Sequence, residues 1–180
     1  PDWSFLYRDI IKELSDECRL IAYDLPGFGF SETPARYNFT PQEHAEWIDA
    51  LVNEHLKLKE YIIVVGDWGG PTGLSVATQH PEKILGAVIT NTWEWKAEGM
   101  LKAFSNINKT PIMNRLNTNR NFFVESLMID GMNESVKDNE AILNAYRLAL
   151  PTAKSRIGVA EFPKQITIAE SWLEKLENRL

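Results

Sequence analysis

The segment that most restricts the fold is Tyr61-Ile62-Ile63-Val64-Val65-Gly66-Asp67-Trp68-Gly69-Gly70-Pro71. Apolar, mostly β-branched residues run straight into a glycine-rich turn. Such a run suits a strand buried on both faces of a parallel sheet. Thr72 to Gln79 then reads as a helix, which His80-Pro81 ends. A strand that enters a helix this abruptly must bend sharply. Gly66, Gly69 and Gly70 permit the bend and let strand and helix approach closely. The apex residue, Asp67, then projects at the carboxyl edge of the sheet, where open α/β sheets place ligands.

The flanking sequence supplies matching elements. Residues 4 to 14 read as a helix, with Phe5, Leu6, Ile10, Ile11 and Leu14 at helical spacing. Arg19 to Tyr23 reads as a short buried strand that ends in the turn Asp24-Leu25-Pro26-Gly27. Thr40-Pro41-Gln42-Glu43 carries a capping box with proline at the first helical position. Ile48, Leu51, Val52 and His55 then share one face. Ile84 to Thr90 reads as a further buried strand. Three alternations of helix and strand predict a parallel α/β sheet flanked by helices. From residue 95 onward the pattern is helical, most clearly at Ala141, Ile142, Ala145, Tyr146, Leu148 and Ala149.

Composition narrows the function classes. Apolar residues make up 44% and charged residues 24%, which is ordinary for a globular domain and unlike a disordered or fibrous chain. The net charge is -6 and no Lys/Arg cluster appears, which argues against a partner nucleic acid. No apolar run approaches the roughly 20 residues of a membrane helix. Cys18 is the one cysteine, and no Cys/His spacing suits a metal. A single thiol fits a cytoplasmic location.

Chemistry centres on Asp67. A helix N-terminus favours a carboxylate by about 0.3–1 kcal/mol and keeps it ionised. Backbone N–H groups beside the apex can hold charge developing on a reacting oxygen. A carboxylate nucleophile suits displacement at saturated carbon, giving an alkyl ester on the enzyme. Trp68 carries an indole N–H that only donates, and in an apolar pocket it can hold a leaving halide. The competing reading is a plain turn, because aspartate also caps helices. His44, His55 and His80 read as structural, so no base is evident. Asn91 ends the last strand, at a place where an acid could stand.

Beyond these residues the chain resembles the haloalkane dehalogenases of the α/β-hydrolase fold. Pro1-Asp2-Trp3-Ser4-Phe5-Leu6-Tyr7-Arg8 is similar to the stretch after that family's oxyanion loop. Asp24-Leu25-Pro26-Gly27-Phe28-Gly29-Phe30-Ser31 and Val65-Gly66-Asp67-Trp68-Gly69-Gly70-Pro71 resemble its glycine-rich loop and nucleophile elbow. Asn91-Thr92-Trp93-Glu94-Trp95, Asn121-Phe122-Phe123-Val124-Glu125 and Arg156 to Pro163 look most like its third subfamily. The resemblance implies Asp67 as nucleophile and Trp68 as one of two halide-stabilising donors. It implies Asn91, Trp93, Phe122 and Phe123 as residues of a substrate pocket. It implies a core over 1–94, a helical cap over 95–160 and a return helix over 161–180. It also implies no metal or organic cofactor; the partners are a small apolar halogenated substrate and water.

The chain begins without an initiator Met and stops within the helical pattern Trp172 to Glu177. The expectation is an internal piece of a longer hydrolase, with the second halide donor before Pro1 and the His base and its acid beyond Leu180. Two other readings stand beside this one. An epoxide hydrolase shares the aspartate elbow, although Tyr146 is the only cap tyrosine here. A non-catalytic fragment or binding module is the other.

Overall fold

A computed structural model describes residues 3–180; Pro1 and Asp2, which open the stretch compared above with the oxyanion-loop region, lie outside the described residues. After a 3-10 turn at Ser4–Tyr7 come α1 (Arg8–Leu14) and α2 (Pro41–Asp49), which continues as a π-helical turn at Ala50–His55. β1 (Tyr61–Gly66), α3 (Gly69–Gln79) and β2 (Ile84–Thr90) come next. The remainder is helical: α4 (Gly99–Asn108), α5 (Pro111–Arg120), a π-helical turn at Phe123–Met128, α6 (Glu134–Lys137), α7 (Glu140–Leu148), α8 (Ile157–Ile168) and α9 (Glu170–Glu177). No described helix is long and apolar enough to cross a membrane. Two compact units form, one from residues up to Arg36 with Lys109–Glu161, the other from Tyr37–Asn108 with Phe162–Leu180.

The second unit holds the sheet. β1 and β2 pair in parallel, with Val64 opposite Val88 and Gly66 opposite Thr90. The intervening α3 is the crossover that a parallel pair requires. It packs against both strands, and α2 and α9 pack against it. α2 starts as its sequence dictates: Thr40 Oγ1 accepts the Glu43 N–H at 3.2 Å, and the Glu43 carboxylate accepts the Thr40 N–H at 3.3 Å. Burial alone would push the Glu43 carboxyl up, but hydrogen bonds from Asn38 and Thr40 outweigh it and hold it below the ordinary value. The core gathers Ala45, Ile48, Val52, Val65, Leu74, Val76, Leu173 and Leu176.

Two expectations fail here for physical reasons. Neither strand is buried on both faces among the described residues. Val65 is 7% exposed, whereas Ile62 is 61% and Val64 45% exposed; in β2, which also reads as buried, Leu85 is 65% and Val88 49% exposed. Side chains alternate across a strand, and α3 covers only one side of this pair. His55 is exposed rather than on the apolar face. The π winding at Ala50–His55 adds a residue to the turn and carries the later positions off the 3.6-residue stripe.

In the first unit, residues 19 to 25 form no strand and are mostly exposed. Their fixed point is Asp24 instead. Its carboxylate accepts N–H groups from Ser4 at 2.7 Å and Phe30 at 2.9 Å, and its carbonyl accepts the Ser31 hydroxyl at 2.7 Å. The helix predicted over 4 to 14 forms, as a 3-10 turn leading into α1. α5 begins under a Thr110 cap with Pro111 in its first turn, and ends at Asn121 in the left-handed conformation with φ 53°. Arg156 ties the carbonyls of Leu150 and Thr118 at 2.8 and 3.2 Å.

Candidate active site

The elbow forms where β1 meets α3. Asp67 adopts φ 48°, a left-handed backbone that costs most L-residues roughly 1–2 kcal/mol. Aspartate tolerates this better than most side chains, and the surrounding bonds hold it there. Its N–H donates to the carbonyl of Asn91 at 3.0 Å, which carries the β1–β2 ladder one step past its end. Its carbonyl accepts the Thr92 hydroxyl at 2.6 Å and the Gly70 N–H at 3.0 Å. Asn91 is also left-handed, with φ 41°. Both strands therefore end in a kinked residue at the same edge, and strain of this kind clusters at functional sites.

Glycine is required at two places in this turn. A side chain at Gly70 would collide with Thr92, and one at Gly66 would lie 2.9 Å from the Thr90 hydroxyl. Gly69, by contrast, has open space where a Cβ would stand. Close approach thus explains two of the three elbow glycines.

The Asp67 side chain is exposed, and its Oδ1 accepts the Trp68 N–H at 2.6 Å. Trp68 occupies the cap position of α3 and makes no side-chain cap bond there. No side chain therefore closes the first turn; Gly70 donates to the Asp67 carbonyl and Pro71 has no N–H, so the turn offers negative charge the Gly69 N–H and the helix dipole. A carboxylate at this place is held at one oxygen and open to a reactant on its outer side.

Around it the second unit brings together four of the six expected site residues. Asp67 and Trp68 form the elbow, and Asn91 braces it through its carbonyl. Trp93, 9% exposed, meets the Trp68 ring edge-on at 5.0 Å between centroids. The Trp93 indole N–H is buried without a hydrogen-bond partner among the described residues. Phe122 and Phe123 belong to the first unit, half-buried at the start of its π-helical turn.

The sequence reading assigns no role to Thr92 or Phe162, whereas His44 reads as structural. Thr92 braces the Asp67 carbonyl; its signal was its place just past the register partner of Gly66. Phe162 lies 5.3 Å from the Trp68 ring, although α8 is far from the elbow in sequence, and no local signal announces that contact. His44 is fully buried behind them. His80 caps α3 and lies 2.8 Å from the Asp49 carboxylate, away from the elbow.

Comparison with known proteins places this geometry. A family model of the α/β hydrolase fold matches residues 1–167. Haloalkane dehalogenase 2 of Mycobacterium tuberculosis is 42% identical over 177 residues, which cover 98% of this chain and 61% of that protein. A haloalkane dehalogenase of Mycobacterium marinum is 40% identical over 101 residues, 55% of this chain and 34% of the relative. The chain thus spans 61% of the first relative's length. Among solved structures, haloalkane dehalogenase DbeA from Bradyrhizobium elkani superposes with a TM-score of 0.85 at 21% identity, covering 99% of this chain and 64% of that one. DatA from Agrobacterium tumefaciens gives 0.82 at 22% identity, with coverage of 99% and 64%. The strand, elbow and helix around Asp67 are those of a chain that belongs to the α/β-hydrolase fold family.

Proposed function

We propose that the whole protein hydrolyses haloalkanes, with Asp67 as the nucleophile. The observation that carries this reading is the exposed carboxylate at a strained apex, over an uncapped helix N-terminus and beside two indoles. An Asp67 oxygen attacks the halogen-bearing carbon. The new C–O bond forms as the carbon–halogen bond breaks, and the bonding pair leaves with the halide. Trp68, whose indole N–H takes no acceptor among the described residues, donates to the departing anion. Water then attacks the ester carbonyl, releasing the alcohol and a proton and restoring the carboxylate.

A base must accept that proton. His44 is buried against Phe162, His80 lies against Asp49, and His55 faces solvent, so none of them stands at the elbow. The reading assigns the base, with its acid partner and a second halide donor, to parts of the whole protein beyond these 180 residues. Asn91 and Trp93 line the pocket beside the elbow. The resemblance gives Phe122 and Phe123 a substrate-contacting role on the 95–160 cap, with 1–94 and 161–180 as core. The lone thiol, Cys18, is in keeping with a cytoplasmic enzyme.

The test is product analysis of the whole protein on 1,2-dibromoethane and on styrene oxide. Bromide release with alcohol formation supports the reading. Diol formation without bromide release replaces it with epoxide hydrolysis, and no turnover of either replaces it with a binding role.

A further inference from the structure

The mechanism makes no use of His44, yet it is among the most completely buried side chains of the second unit. It sits in the first turn of α2, with Nδ1 2.7 Å from the Tyr37 hydroxyl. Its ring lies nearly flat on Phe162 of α8, with centroids 4.8 Å apart and planes 27° apart. Phe162, 3% exposed, tilts against Trp68 at 5.3 Å. Trp68 in turn meets Trp93. An unbroken series of rings therefore runs from Tyr37 to the elbow.

Such contacts have direction. Aromatic pairs favour offset-stacked or edge-on arrangements over a face-to-face sandwich. The Trp68 backbone is fixed by Asp67 and α3, but its indole still has two side-chain torsions to settle. Phe162 and Trp93 settle them from two sides, and Phe162 is itself backed by the His44 face. The Tyr37 hydroxyl and Nδ1 share a hydrogen bond that the neutral imidazole makes in either tautomer, the donor being the hydroxyl or the ring N–H accordingly. Burial agrees, holding the His44 ring well below its ordinary value, at about 4, and pushing the Tyr37 hydroxyl up.

We propose that His44 is a positioning residue: its neutral ring, tethered by Tyr37, seats Phe162 and so sets the orientation of the Trp68 indole beside Asp67. The catalytic half of this statement rests on Trp68 acting as halide donor. The orienting half does not.

The experiment is far-ultraviolet circular dichroism of the whole protein, in the region of the strong indole band, together with steady-state halide release. The edge-on pair of Trp68 and Trp93 gives an exciton couplet, assigned by its loss in Trp93→Phe. His44→Ala removes both ring and tether. It should at least halve the couplet and lower kcat about tenfold with KM little changed. His44→Phe keeps the ring and should restore the couplet and most of kcat. Leu173→Ala, an equally buried change outside the ring series, should lower stability and leave the couplet intact. If His44→Ala does not fold, His44→Gln takes its place, because its amide keeps both a donor and an acceptor for Tyr37 without an aromatic face. An unchanged couplet in either folded variant overturns the proposal, as does a couplet that falls equally in Leu173→Ala. A couplet that responds as expected in a protein releasing no halide retires the dehalogenase reading and leaves the orienting role standing.

Discussion

Two aspartates in this chain sit in nearly the same sequence setting and do opposite things. Asp24 comes after Leu20-Ile21-Ala22-Tyr23 and precedes Gly27; Asp67 comes after Ile63-Val64-Val65-Gly66 and precedes Gly69. Asp24 spends both carboxylate oxygens on backbone N–H groups, those of Ser4 and Phe30. Gly29 packs so closely on that carboxylate that no side chain fits there. Asp67 spends one oxygen, on the amide next to it, and leaves the other exposed at a helix start. An aspartate whose lone pairs are consumed by the backbone holds a loop. One held at a single oxygen in an electropositive corner is available for chemistry.

The sharpest way to break this contrast is to neutralise each aspartate in turn. Asp67→Asn in the whole protein should lower halide release by roughly four orders of magnitude or more, with the denaturation midpoint nearly unchanged. Asparagine tolerates the left-handed backbone as aspartate does. Asp24→Ala should do the reverse, removing about 2–4 kcal/mol of stability through two lost charge-assisted bonds while turnover per folded molecule persists. A loss of turnover with Asp24→Ala in well-folded protein would collapse the distinction.

Protonation limits where the comparison can be made. The folded value for His44 is depressed from 6.5 to about 4, chiefly by burial. The unfolded chain therefore binds the extra proton first. Stability is fully present above about pH 6.5 and falls by roughly 3 kcal/mol between there and pH 4. Urea titrations at about pH 7.5 and 4.5 should show that drop, and His44→Phe should flatten it. The two aspartate variants are thus best compared above about pH 7.

The smallest effect is the most discriminating control. Thr40 is a true helix cap, and Thr40→Ala should cost about 1 kcal/mol with no change in turnover. Asp67→Asn should cost less stability than this, because asparagine keeps an oxygen for the Trp68 N–H and tolerates the left-handed backbone; an equal cost would show that the charge holds the elbow together.

The capping box at Thr40, the β1–α3–β2 unit and the apex position of Asp67 were legible in the residues themselves. Each rests on local chemistry: side-chain oxygens near orphan amides, β-branched runs, and glycines where a bend demands them. What the residues misjudged is equally instructive. Arg19–Tyr23 carries a strand's composition but has no ladder partner among the described residues, and the fixed point falls on Asp24 just after it. The π turn at Ala50–His55 breaks a helical stripe that reads as continuous.

By itself, then, the sequence determined the elements, the elbow and the residue at its tip, because propensity, capping and turn chemistry act over a few neighbours. Only tertiary structure decided which of two similar aspartates keeps a free oxygen. It alone brought Phe162 and His44 behind Trp68. Those outcomes depend on which distant segments compete for the same hydrogen bonds and the same apolar surface, and no short window of residues contains both competitors.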